Sequence, residues 1–143
     1  MDRRGLAARI LRIDGVLLLV VAAIHLGATP LALNFVQSQV APDAFAQIKP
    51  AFLLSFVVVG ILLIPVGLSM FYSARLMLRG EVWGRTICLF DGIAIAMLPL
   101  ALVSAVPARY FHAKPFLAAA ILVCVVAVSV VLALFLSSSE SRQ

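Results

Sequence analysis

Two stretches of 25 residues carry no Asp, Glu, Lys or Arg: residues 50–74, between Lys49 and Arg75, and residues 115–139, between Lys114 and Glu140. A helix needs about 20 residues to cross about 30 Å of hydrocarbon, so each stretch is long enough to span a bilayer. The 23 residues between Arg85 and Arg109 hold a single charge, Asp91. With the apolar segment that follows Arg12, the pattern predicts an all-α polytopic membrane protein, a single four-helix domain over residues 1–143. The expected helices cover about 13–33, 50–74, 85–106 and 115–136, with an outer loop at 34–48. Composition points the same way. The chain is 64% hydrophobic and 12% charged, where soluble domains carry about 25% charged residues, so it cannot cover itself with polar surface in water.

The first and third apolar segments share an outline. Residues 13–30 read IDGVLLLVVAAIHLGATP and residues 90–107 read FDGIAIAMLPLALVSAVP, so Asp14-Gly15 recurs as Asp91-Gly92 and Pro30 recurs as Pro107 at the same spacing. Each copy is followed by a Lys-Pro pair opening another apolar run, Lys49-Pro50 and Lys114-Pro115. This predicts two tandem hairpins related by a pseudo-two-fold axis along the membrane normal, a parallel repeat. Small residues four apart, Ala23 with Gly27, Gly92 with Ala96 and Ala101 with Ala105, mark faces on which helices approach closely in lipid. They suggest that the first and third helices form the centre of the bundle.

The net charge of +5 would suggest nucleic acid in a soluble protein, but its placement encodes orientation instead. Arg3, Arg4, Arg9, Arg12, Arg75, Arg79, Arg85 and Arg142 fall on one side of the expected spans, and only Lys49, Arg109 and Lys114 on the other. By the positive-inside rule both termini are expected to be cytoplasmic, in a bacterial-type inner membrane. Residues 1–12 followed by Val16–Ile24 also fit the outline of a signal peptide. The match with the third segment favours a retained helix. Residues 34–48 mix Phe35, Val36, Val40, Phe45 and Ile48 with Gln37, Gln39, Asp43 and Gln47, as an interfacial helix or cap would.

Few groups could carry chemistry. Cys88 and Cys124 form no Cys-x-x-Cys pair, and their expected fate is apolar packing. The sequence contains no phosphate-binding glycine loop, no Ser-His-Asp pattern and no His-Glu-x-x-His helix. Ionisable residues inside a membrane are the default candidates because a charge there is costly. Asp14 and Asp91 each precede the closing proline by 16 residues, about 24 Å of helix. They read either as helix-start residues or as paired ports for a proton or cation. His25 lies five residues before Pro30 and corresponds to Leu102 in the second copy, so the repeat itself does not require it. On the same outer side fall Asp43, Arg109, Tyr110 and His112. Together they could form a ligand site for copper or zinc, a quinone headgroup or haem, yet no ligand spacing singles out one cofactor.

The expected role is therefore that of a non-enzymatic accessory protein or integral subunit, with the lipid bilayer, other membrane chains or a second copy as partners and no nucleic acid. The alternatives are a lipophilic-ligand, quinone or metal-binding redox protein centred on His25, and a minimal homodimeric transporter using Asp14 and Asp91.

Overall fold

The computed structural model describes residues 3–105 and 114–138, and these are all-helical. The helices are α1 (Arg3–Gly27), α2 (Thr29–Gln39), α3 (Pro42–Leu78), α4 (Val82–Ala105) and α5 (Lys114–Ser138). Among the described residues, α1, α3 and the segment Ala120–Ser137 of α5 are long and apolar enough to cross a membrane. The chain divides into two compact units, one made of Met1–Gly15 with Ser69–Gln143 and the other of Val16–Leu68.

The helix boundaries depart from the expected ones for local reasons. α1 starts at Arg3, ten residues before the predicted 13, because the basic segment is itself amphipathic. Ala7, Ala8 and Leu11 are buried while Arg3, Arg9 and Arg12 stay exposed, which is the 3.6-residue pattern of a helix with one buried face. The predicted first helix, 13–33, is divided at Ala28. Pro30 has no N–H to offer the carbonyl four residues back, and its ring crowds that carbonyl. Ladder bonds continue around the break, from Ala28 N to Ile24 O at 2.7 Å and from Ala32 N to Ala28 O at 2.9 Å. The Thr29 hydroxyl also donates to the His25 carbonyl at 3.1 Å.

The predicted outer loop, 34–48, is helical except at its middle. α2 ends where Val40 becomes extended, and α3 begins at Pro42 with Asp43 in its first turn. Proline is well placed there because the first helical N–H has no partner in any case, and a carboxylate there meets the positive end of the helix dipole. α3 then runs through both Pro50 and Pro65 for 37 residues, about 55 Å. That exceeds the thickness of a bilayer core.

Within the unit that contains α4 and α5, the α3–α4 turn is closed by Gly80. Its φ of +72° is the left-handed conformation that ends many helices. Glu81 N bonds to Leu76 O and Gly80 N to Met77 O, both at 3.0 Å, satisfying carbonyls that the helix end leaves open. The chain then folds back tightly. A Cβ on Gly84 would stand 2.7 Å from Met77 N and 2.9 Å from Leu76 Cβ, and the Ser73 hydroxyl donates to the Gly84 carbonyl. α4 and α5 pack against each other, with Gly92 giving room to Val130. Met70, Cys88, Ile95, Val126 and Val130 are fully buried. Cys124, by contrast, is exposed.

Only part of the expected small-residue packing is found. Gly92 does sit at a close approach, but Ala23, Gly27 and Ala101 are exposed, and a Cβ on Gly27 would meet nothing within 4 Å. In the Val16–Leu68 unit the close approach falls on α3 instead. A Cβ on Gly60 would stand 2.7 Å from the Leu26 side chain and 3.5 Å from His25.

Candidate functional site

Asp14 and Asp91 occupy equivalent Asp-Gly dipeptides, and each is bound by a serine from another helix. The Ser129 hydroxyl of α5 lies 2.8 Å from Asp14 Oδ1, and the Ser69 hydroxyl of α3 donates to Asp91 Oδ2. α1, α3, α4 and α5 thus each contribute one member to two interhelical acid–serine braces. Cys88 is fully buried on α4. The braces differ in completeness. Asp14 is only 3% exposed, and its Oδ2 has no hydrogen-bond partner among the described residues. Asp91 is half-buried.

Ser129 has a second acceptor, the Val126 carbonyl at 2.9 Å. A hydroxyl has one proton, so it donates to the carboxylate or to its own helix, one at a time. A side chain with this alternative can release an acid without being left unsatisfied, whereas the buried acid has no such reserve. Interhelical bonds of this kind hold membrane bundles together at modest cost or gain.

The Val16–Leu68 unit holds the other candidate. His25 stacks on Phe56 of α3, with ring centroids 3.8 Å apart and planes 14° from parallel, and Phe52 continues the row at 5.4 Å from Phe56. The His25 Nε2 is buried and makes no hydrogen bond among the described residues. The same proline break that ends α1 brings Thr29 onto the His25 carbonyl. Asp43 lies exposed in the first turn of α3. Lys49, also exposed, is 6.0 Å from the centroid of the Phe45 ring. Arg109, Tyr110 and His112 lie outside the described residues. Among the described residues no three His, Cys, Asp or Glu side chains gather as metal ligands.

Sequence reasoning named both carboxylates and His25. It missed Ser69, Ser129 and Phe56, because a serine inside an apolar run looks the same whether it bonds to its own helix or across to another. The aromatic row Phe52–Phe56 has helical spacing and was legible only as a generic apolar face.

The described residues form an all-helical protein in which three helices are long and apolar enough to cross a membrane. No protein-family model matches the chain, and neither does any curated protein or solved structure.

Proposed function

We propose that the chain is a four-span, multi-pass protein of a bacterial-type inner membrane, with both termini cytoplasmic, that acts as a non-enzymatic integral subunit packed against another membrane chain or a second copy. α4 supplies the fourth span. The clustering of arginines at the start of α1 and around the α3–α4 turn supports the orientation. Reciprocal bracing supports the tandem repeat, since each acid of a first helix takes its serine from the second helix of the other copy.

The observation that carries the subunit reading is the open Ala23–Gly27 face of α1. Two small residues four apart are the signature of close helix approach in lipid, yet this pair is exposed and no atom of the described chain lies within 4 Å of the space a Gly27 Cβ would fill. The test follows from that vacancy. Gly27→Ile should leave the fold of the chain unchanged while dissociating whatever polypeptide is found with it by native mass spectrometry of membrane extracts. A bare monomer before substitution, or an assembly unaffected by it, overturns the subunit role.

A second reading rests on the bare, buried Nε2 of His25 above Phe56. An aromatic face beside one unsatisfied ring nitrogen suits a flat lipophilic ligand such as a quinone, held by stacking and one hydrogen bond. It requires a stoichiometric extra mass on the extracted chain that is lost in His25→Ala.

A further inference from the structure

One surface feature is explained neither by packing nor by the subunit reading. Val82, Arg85, Thr86 and Leu89, spaced i, i+3, i+4 and i+7 along one face of α4, face Val131 and Phe135 of α5 across an open cavity of about 540 Å³. The floor is apolar and the polar groups are concentrated at one end. There the Arg85 Nε is buried with no hydrogen-bond partner among the described residues, and the Thr86 hydroxyl makes a long 3.5 Å contact to the Val82 carbonyl. An arginine nitrogen buried and unsatisfied is costly, and a guanidinium in such a place is suited to a phosphate or carboxylate, which it meets with forked N–H groups.

Depth selects the kind of anion. Trp83, two residues before Arg85, is 69% exposed, and exposed tryptophan at the end of a membrane helix belongs at the headgroup level. From Arg85 the groove runs toward Leu89 and Phe135, both exposed, in the direction of the hydrocarbon core. We infer that this groove binds one anionic phospholipid of the cytoplasmic leaflet, its headgroup phosphate on Arg85 and Thr86 and the upper part of one acyl chain against Leu89, Val131 and Phe135. The inference rests on the reading of the chain as a membrane protein with the α3–α4 turn inside, and it is independent of the subunit role. The cavity takes only a segment of a two-chain lipid, and the remainder stays in the bilayer. Charge complementarity, an open apolar trough and interfacial depth coincide on one molecule of this class.

The full-length protein, purified in detergent and delipidated, would be titrated by native mass spectrometry with phosphatidylglycerol or with phosphatidylcholine of the same acyl chains. Both lipids offer Arg85 a phosphodiester, but the choline ammonium of phosphatidylcholine cancels its charge and is repelled by the guanidinium, so one equivalent of phosphatidylglycerol should bind about tenfold more tightly, and inorganic phosphate should not compete. Arg85→Gln should abolish that preference. Arg79→Gln, whose exposed side chain pairs with Glu81 at 3.8 Å, should retain it. Val131→Trp fills the trough without touching the charge and should weaken both lipids, so a failure of Arg85→Gln to fold leaves a second arm. Equal binding of the two lipids, a preference that survives Arg85→Gln, or a polypeptide crosslinking to Leu89 in place of lipid overturns the inference. Release of the chain from membranes by alkaline carbonate would instead break the membrane reading beneath it.

Discussion

Asp14-Gly15 and Asp91-Gly92 are the same dipeptide at equivalent places in two similar helices, and they are used differently. Asp14 is almost completely buried, bonded through one oxygen to Ser129 and, among the described residues, unbonded at the other. Asp91 is half-buried and bonded to Ser69, and its neighbour Gly92 accommodates Val130. The second copy therefore combines a polar brace with a steric notch, while the first concentrates its polar cost on one acid with little solvent to share it. Repetition of a motif preserves its chemistry, but the burial of each copy determines how much that chemistry costs.

The largest effect should come from filling the notch. A Cβ at position 92 already stands 2.9 Å from Val130 Cγ1, so Gly92→Leu should destabilise the α4–α5 pair by about 3 kcal/mol, the upper range of overpacking. Val130→Ala in the same chain should recover much of that loss in denaturant unfolding from bicelles. Next is Ser129→Ala, which leaves a buried carboxylate with neither oxygen bonded among the described residues and should cost about 2 kcal/mol. Ser69→Ala should cost about 1 kcal/mol, because half-buried Asp91 is less enclosed by the protein than Asp14 and freer to reorient. If Ser69→Ala proves the more damaging of the two, burial is not what separates the copies.

The smallest effect is expected from the partner of the most buried brace. Asp14→Ala removes a costly buried acid and leaves Ser129 its own-helix acceptor, the Val126 carbonyl. Its net cost should be about 0.5 kcal/mol or less, well below that of Ser129→Ala, since removing the unsatisfied group itself is cheaper than removing its partner. Equal losses for Ser129→Ala and Asp14→Ala, measured in one unfolding series, would show that the hydroxyl has no usable alternative.

Much of the helical architecture was legible because the bilayer imposes a simple rule. Long uncharged runs must be helical when no water is present to satisfy the backbone, and those runs marked α3, α4 and α5 to within a few residues at the α4 and α5 boundaries. Where the rule does not apply, the reading slipped. Residues 1–12 fit the basic start of a signal peptide ahead of a helix from about 13, yet Ala7, Ala8 and Leu11 give the stretch from Arg3 a buried helical face. Residues 34–48 read as an outer segment forming an interfacial helix or cap, and only the structure shows α2 ending at Gln39 and α3 opening at Pro42, where Pro42 and Asp43 suit a helix start. The open Ala23–Gly27 pair and the packed Gly60 show the same limit, since small size permits close approach without saying which helix arrives.

The sequence by itself determined the long apolar runs, most of the helices they form and the residues that are expensive to bury: Asp14, Asp91 and His25. These follow from composition and spacing, which need no partner to be read. Only the tertiary structure decided that Ser129 and Ser69 meet the two acids, that His25 lies on Phe56 with a bare nitrogen, and that Arg85 ends an apolar trough. Each of those depends on the rotation of one helix against another. A turn of about 100° per residue places neighbouring side chains on different faces, and the packing that fixes that rotation is not written in any single segment.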